Sequence, residues 1–510
     1  MRLRNLFLST VVATVLVLPA KAEDAGGYLA ARSAIIASDF AEAAQYFARA
    51  LARDPSNVFL LENATTAYLG LGDLDRAASI ARRLIQTGSS SQLAGLTLFG
   101  DAAWKGNWDQ NLADLDAGLS VGPLFDGLAR AWALVGDGRM SEALEAFDQV
   151  GANQGVEAFG LYHKALALAS VGDFEGSAEI FSGEQGTTLR LTRRGLVAYV
   201  EVLSQLERND DAIELINASS GANLDPYSEY LMRQLEAGET IPFNTVRSPV
   251  DGMAEVYYSI ASALSNEAQA SYTLLYSRMA SILRPDHIEA LLMTAELLEQ
   301  LERYDLATEV YDTVPRDDPS FHAAELGRAE ALRRSGREDA AIEVLRQLTQ
   351  SHGDLPLVHV TLGDTLRGLE RFEEAINPYN DALALVEEPD EQHWIIYFAR
   401  GISHERTQQW EKAEADFRKA LELKPEQPQV LNYLGYSFLE MQINLEEALD
   451  MIERAVTLRP DSGYIIDSLG WGLYRLGRYA EAVGHMEKAV ELMPIDPIVN
   501  DHLGLSLIHI

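Results

Sequence analysis

The feature that most constrains the fold of this chain is a period of 34 or 35 residues, clearest in its second half. It relates the segments ARGISHERTQQWEKAEADFRKALELKP, LGYSFLEMQINLEEALDMIERAVTLRP and LGWGLYRLGRYAEAVGHMEKAVELMP. The recurring positions are small residues and a closing proline: Gly401, Gly435 and Gly470; Ala413, Ala448 and Ala482; Ala420, Ala455 and Ala489; Pro425, Pro460 and Pro494. Such a period predicts an array of similar units rather than one globular core.

The residue types at these positions indicate paired helices. Two antiparallel helices approach closely only where side chains are small, and a bulky neighbour fills the gap beside them. Phe417, Ile452 and Met486 occupy that bulky position. Proline ends the second helix, because it lacks an amide proton and disfavours helix in the residue before it. Each unit is therefore predicted to be a helix–turn–helix, and the chain to be all-α.

The same register extends towards the N-terminus. Its positions there are Ala307, Ala341 and Ala375, and then Ala43, Phe47, Ala50 and Pro55 in SDFAEAAQYFARALARDP. This pattern resembles the tetratricopeptide repeat, a helix–turn–helix unit of 34 residues. The resemblance implies an α-solenoid, a right-handed superhelix of about thirteen stacked units. It also implies that the first helix of each unit lines a concave binding face.

The period fails between two arrays. Residues 219–250 are rich in Gly, Pro, Asn and Ser, and the unit that follows them is degenerate. This segment is either a hinge between two superhelical parts or a divergent repeat that packs normally. The predicted organisation is an N-terminal array over residues 23–218 and a C-terminal array over residues 251–504.

The first 22 residues are typical of a secretory signal peptide. Arg2 and Arg4 precede an apolar run, and Ala20-Lys21-Ala22 provides a cleavage site between small residues. The run is short for a membrane anchor, and no later stretch is apolar enough to span a bilayer. The mature chain is expected in the periplasm, without a transmembrane segment and peripheral to the outer membrane at most.

Composition and motifs argue against most chemistries. The formal net charge of −36 repels nucleic acid and can attract a basic partner, although solubility alone also explains it. There is no cysteine, and the histidines do not have the spacing of metal ligands. No nucleophile or phosphate-loop signature is present. We therefore predict a protein that is not an enzyme and has no cofactor or metal.

The candidate site is a row of positions on the first helices of the last units. It comprises Asn432, Tyr436, Asp467, Trp471, Tyr474 and Asp501. Asn432, Asp467 and Asp501 lie 35 and 34 residues apart, so they are expected to form a polar ladder with aromatic residues beside it. Such a row suits an extended peptide or a sugar, unless the aromatic side chains pack between helices. Repeats that clamp a terminal carboxylate carry Lys, Arg and Asn here, so an acidic C-terminus is not the expected ligand.

The segment from Asn432 to Gly504 is also similar to exported alphaproteobacterial tetratricopeptide proteins of the cell envelope. That resemblance implies a non-catalytic periplasmic scaffold that binds another envelope protein or a peptide in envelope or secretion-complex assembly. The alternative is a glycan-binding module of a polysaccharide export or cell-wall system.

The last six residues, LSLIHI, depart from the register. Gly504 takes the small position of a further first helix, but residues 505–510 do not continue the pattern of the unit. They are the translation of a transposase end used in sequencing-library preparation. We expect that they are an artefact, that the natural protein continues beyond Gly504, and that its last repeats and cap are missing from this sequence.

Overall fold

The computed structural model describes residues 25–152, 155–183, 191–220 and 225–510. The predicted signal peptide lies outside these residues. Within them the secondary structure is helical, with no strand and one short 3-10 helix at Glu391–His393. The α-helices are α1 Ala25–Ile36, α2 Phe40–Leu51, α3 Val58–Gly70, α4 Leu74–Gln86, α5 Gln92–Trp104, α6 Trp108–Asp116, α7 Pro123–Gly136, α8 Met140–Gly151, α9 Glu157–Ser170, α10 Phe174–Ser182, α11 Arg193–Gln205, α12 Asn209–Ser220, α13 Pro226–Glu236, α14 Pro249–Leu264, α15 Ala270–Leu283, α16 Ile288–Gln300, α17 Tyr304–Tyr311, α18 Phe321–Arg334, α19 Glu338–Ser351, α20 Pro356–Gly368, α21 Phe372–Ala384, α22 Trp394–Arg406, α23 Trp410–Leu423, α24 Pro428–Met441, α25 Leu445–Leu458, α26 Gly463–Arg475, α27 Tyr479–Leu492 and α28 Pro497–His509.

The small repeated positions lie where the two helices of a unit touch. A Cβ atom on Gly401 would lie 2.6 Å from the Phe417 ring, and one on Gly470 would lie 2.6 Å from Cγ of Met486. Both bulky partners are fully buried. The pairing of a small residue with a bulky one therefore explains why consecutive helices form hairpins, and the predicted all-α solenoid is confirmed.

The chain divides into two compact units, the first ending at Gly327 and the second formed by Arg328–Ile510. Residues 219–250 lie inside the first unit. Their described part forms α13 and then an extended stretch that runs to the start of α14. In the second unit, α28 continues through residues 505–509. The foreign origin of LSLIHI stays a prediction.

In the first unit, α14 and α15 form a hairpin that leaves the regular stacking order, and we call it the insert hairpin. Helix α15 contacts α3 and α5, while α14 contacts α5, α7 and α9. These are the first helices of successive pairs, which line the concave side of such a solenoid. The insert hairpin therefore fills the concave face of the N-terminal array.

Both helices of the insert hairpin make close and specific contacts with the array. The Tyr257 hydroxyl donates to the carbonyl of Leu96 at 2.6 Å, and Arg278 Nε donates to the carbonyl of Gly70 at 3.3 Å. Gly252 packs against the Trp132 ring, which is fully buried. Such dense packing identifies the insert hairpin as part of the core of the first unit.

Gly252→Ala is expected to destabilise the first unit by about 1–3 kcal/mol, because the added methyl group would overlap the Trp132 ring. The matched control is Gly484→Ala in α27, where a Cβ atom meets nothing within 4 Å. That change should stabilise its helix by about 0.5–1 kcal/mol. Hydrogen exchange of the amides of α14 and of α27 measures the two effects locally, because long repeat chains do not unfold in one step. Equal effects of the two substitutions would contradict the described packing.

Candidate functional site

The six predicted site residues lie on three first helices that contact one another in sequence. Helix α24 carries Asn432 and Tyr436, α26 carries Asp467, Trp471 and Tyr474, and α28 carries Asp501. Contacts run from α24 to α26 and from α26 to α28. The repeat register therefore brings these residues onto one side of the second unit.

Two of the three residues of the predicted polar ladder are buried rather than exposed. Asn432 and Asp467 are only 7% and 6% exposed, and Asp467 faces the following first helix rather than the groove. Oδ2 of Asp467 lies 2.8 Å from Nδ1 of His502 on α28. Oδ1 of Asn432 and Oδ1 of Asp467 are buried without a hydrogen-bond partner among the described residues. Asp501 is exposed. Any role of these three residues in binding stays a prediction.

The three aromatic residues are half-buried, and we call Tyr436, Trp471 and Tyr474 the C-terminal aromatic strip. The Trp471 ring stacks on Tyr474, with centroids 5.0 Å apart and planes 14° apart. It also stacks on His502 at 4.2 Å. His502 was not predicted from the sequence, although it follows Asp467 by the same 35 residues that separate Asp467 from Asn432.

Charged groups surround this strip. Nε1 of Trp471 donates to Oε1 of Glu440 at 2.7 Å, and the Arg475 guanidinium lies 5.8 Å from the Trp471 ring centroid. Burial, together with the carboxylates of Glu440 and Asp467, raises the pKa of Tyr436. The strip therefore combines preorganised aromatic faces, a neutral phenol and a carboxylate, which can hold apolar groups and hydrogen-bond donors.

The first unit shows how a first helix holds a non-helical segment of the chain, because residues 241–245, within the non-helical stretch 239–248, bond to α11. The Ser204 hydroxyl accepts from the amide of Ile241 at 2.9 Å, and Nε2 of Gln205 donates to the carbonyl of the same residue at 2.7 Å. Oε2 of Glu201 accepts from the amides of Asn244 and Thr245 at 3.1 and 2.9 Å. These four bonds go to backbone groups, and Oε2 of Glu201 also accepts from the side-chain hydroxyl of Thr245 at 2.7 Å.

A buried ion cluster joins the insert hairpin to the array. Glu255 on α14 accepts from Tyr162 at 2.9 Å and from Nε of Arg194 at 3.3 Å, and it lies 3.2 Å from Nε2 of His287. Burial alone would raise the pKa of Glu255, but Arg194, His287 and His163 outweigh it and hold that pKa at about 2. Arg194 also contacts Glu289 and the carbonyl of Thr245.

This cluster borders a cavity of about 530 Å³ between α9, the start of α11 and α14. Perturbed ionisable groups beside a cavity are a common feature of active sites. Here, however, both oxygens of Glu255 are engaged by protein groups, and Arg194 bonds to two carboxylates and a carbonyl. The contacts in the cluster therefore support a role in holding the insert hairpin in place.

No group of three or more His, Asp or Glu side chains within the described ranges is arranged to hold a metal ion. Among the helices of the described residues, none is both long enough and apolar enough to cross a bilayer.

Stacked helix hairpins with a row of inner helices define an α-solenoid repeat protein. Family profiles described as tetratricopeptide repeat match residues 28–92, 292–356, 360–428 and 398–463, and a second such profile matches residues 464–493. The chain belongs to the tetratricopeptide repeat family. Proteins with this fold are generally non-catalytic scaffolds that bind peptides or proteins.

Individual relatives match only parts of the chain. The TPR repeat-containing protein PA4667 of Pseudomonas aeruginosa is 27% identical over 185 residues, which cover 36% of this chain and 30% of that protein. The lipoprotein NlpI homolog of Haemophilus influenzae is 35% identical over 92 residues, 18% of this chain and 28% of that protein. This chain thus spans less than a third of each relative. The crystal structure of the APC/C hetero-tetramer Cut9–Hcn1 covers 96% of this chain and 97% of its own, with 14% identity and a TM-score of 0.39.

Proposed function

We propose that this protein is a non-catalytic periplasmic scaffold that holds an envelope protein, as an extended peptide segment, on the C-terminal aromatic strip. The observation that carries this proposal is the way in which α11 binds residues 239–248 through their backbone. First helices of this chain therefore have the chemistry for peptide binding. In the first unit that chemistry is already used internally.

The second unit offers the corresponding face. Helices α24, α26 and α28 make their contacts with their own neighbours in the stack, and no insert like α14–α15 occurs among the described residues of this unit. Half-buried aromatic residues next to charged groups are typical of binding hot spots. The signal-peptide pattern and the similarity to a protein named as a lipoprotein homolog support an envelope location.

Trp471→Ala is expected to weaken partner binding by about tenfold or more, as for an aromatic hot-spot residue. Full-length protein captures partners from periplasmic extract, and the yield of each captured protein is compared between variants. The matched control is Trp104→Ala, since Trp104 is 50% exposed at the end of α5 in the first unit. Trp471→Phe keeps a flat ring and should retain most of the binding. Equal capture by the Trp471→Ala and Trp104→Ala variants would refute the proposed site.

Glycan binding is the second candidate, and the half-buried aromatic residues of the C-terminal aromatic strip favour it. Titration calorimetry with soluble glycans tests this alternative on the same variants. A saturable response that disappears in Trp471→Ala, without any captured protein that depends on Trp471, would favour the glycan.

A further inference from the structure

An open cleft of about 670 Å³ lies in the first unit, between α3, the start of α5 and α15. It is separate from the C-terminal aromatic strip and from the buried ion cluster. Its size falls within the range of about 300–1,000 Å³ that is usual for small-molecule sites. Because α15 belongs to the insert hairpin, this cleft exists only where the insert meets the array.

One wall of the cleft is aromatic. Tyr272 and Tyr276 lie one turn apart on α15, with ring centroids 5.4 Å apart, planes at 71° and hydroxyl oxygens 3.1 Å apart. Tyr276 is buried, whereas Tyr272 is 41% exposed. The contact with Tyr276 positions the Tyr272 ring, which offers an accessible flat surface at the cleft.

The opposite wall is polar. Nδ2 of Asn63 donates to the carbonyl of Phe59 at 2.8 Å, so the amide oxygen of Asn63 is left for a ligand. Glu62, Ser90 and Gln92 also line the cleft, and their side chains make no hydrogen bond or ion pair with the described residues. Together they offer a carboxylate, two amides and a hydroxyl, which both accept and donate hydrogen bonds.

The charge of the lining narrows the class of ligand. No Lys, Arg or His lines the cleft, and its one ionisable carboxyl group is that of Glu62. Phosphate or carboxylate groups would therefore be repelled without a compensating cation. A purely apolar ligand would bury the polar side chains of this wall without hydrogen-bond partners, which costs free energy. A neutral ligand with many hydroxyl groups and one apolar face can stack on the aromatic wall and form hydrogen bonds with the polar wall.

We propose that the cleft between α3, α5 and α15 binds a neutral oligosaccharide, with a sugar ring stacked on Tyr272 and its hydroxyl groups bonded to Glu62, Asn63 and Gln92. The site is independent of the protein-binding strip in the second unit. A chain with both sites would link a glycan to a protein partner.

The test uses full-length protein and titration calorimetry with neutral hexasaccharides of glucose, both malto- and cello-linked, and of N-acetylglucosamine. At least one of them should bind saturably at millimolar concentration or below. Tyr272→Ala should weaken that binding by at least tenfold. The matched control is Tyr230→Ala, since Tyr230 on α13 is 39% exposed and lies outside the cleft. Trp471→Ala should also leave the saccharide affinity unchanged.

Three results would overturn the proposal. The first is the absence of saturable binding of all three saccharides, and the second is equal affinity in the Tyr272→Ala and Tyr230→Ala variants. The third is tight binding of a basic probe peptide, hexalysine, that is lost in Tyr272→Ala while the saccharides do not bind. In that case the cleft would be a site for basic peptides. If Tyr272→Ala unfolds at the same temperature as the unmodified protein, loss of the fold is excluded as the cause of weaker binding.

Discussion

Glu255→Ala is expected to destabilise the insert hairpin and its contacts by about 3–5 kcal/mol, the range for breaking a buried ion pair from one side. Glu255 is 1% exposed and accepts from Tyr162 and Arg194. Its removal leaves the buried Arg194 guanidinium with less compensating charge and Tyr162 without its acceptor. The expected consequence is that α14 separates more easily from the array.

Hydrogen exchange measures this effect locally, which is necessary because long repeat chains do not unfold in one step. Amides of α14 and of residues 239–248 should exchange much faster in Glu255→Ala. Glu255→Gln retains a hydrogen-bond acceptor and should have a smaller effect. Glu142→Ala removes an exposed partner of Arg139 and should change nothing measurable. If Glu255→Ala and Glu142→Ala behave alike, the buried ion cluster does not hold the insert hairpin.

The stability of the first unit is expected to fall by about 3 kcal/mol between pH 6.5 and pH 4 because of His163. This residue is fully buried. Its Nδ1 accepts from Nε1 of Trp132 on α7 at 3.1 Å, and its Nε2 lies 3.1 Å from the hydroxyl of Ser259 on α14. Burial lowers the pKa of His163 to about 4, and the nearby charge of Glu255 opposes that shift only in part.

The direction of the effect follows from the two pKa values of this histidine. In the unfolded chain His163 has an ordinary pKa of about 6.5, so it takes up a proton there before it does in the folded protein. Its contribution is therefore fully present above pH 6.5 and is lost as the pH falls towards 4. The pKa of Glu255 is lowered from about 4.5 to about 2, so its contribution is lost between about pH 4.5 and pH 2, and the two windows overlap only near pH 4.

Hydrogen exchange of the amides of α7, α9 and α14, corrected for the intrinsic pH dependence of exchange and followed at half-unit steps from pH 7.5 to pH 4, tests this dependence. His163→Gln should flatten the change between pH 6.5 and pH 4 and lower the stability at neutral pH, because the Trp132 contact is altered. His485→Gln in α27 of the second unit should keep the profile of the unmodified protein. An unchanged profile in His163→Gln would show that other groups carry the pH dependence.

Much of the fold could be predicted because the repeat code is local. Gly401 and Phe417 lie in one hairpin, so their pairing depends only on a short segment and its period. The insert hairpin was not predictable in this way. Its contacts join Tyr257 to Leu96 and Arg278 to Gly70, pairs separated by 161 and 208 residues. Loss of the repeat period showed that this part of the chain is irregular. No local sequence pattern predicts which surface of the array the insert hairpin covers.

The candidate site was predicted in part. The register placed Tyr436, Trp471 and Tyr474 on consecutive first helices, and the structure leaves them half-buried there. The register could not separate positions that face the groove from positions that face the next first helix. Asp467 belongs to the second kind, since it pairs with His502. That distinction depends on the angle between neighbouring repeats, which spacing alone does not give.

Site-specific photo-crosslinking shows whether the C-terminal aromatic strip holds a protein in the cell. A photoreactive amino acid replaces Tyr474 in the C-terminal aromatic strip or, in the comparison, Tyr230 on α13 of the first unit, and cells are irradiated before the envelope is fractionated. We expect a discrete protein adduct from position 474, in the periplasmic or envelope fraction, and none of the same size from position 230. Adducts of equal yield from both positions, or adducts from position 230 alone, would contradict the proposed binding site.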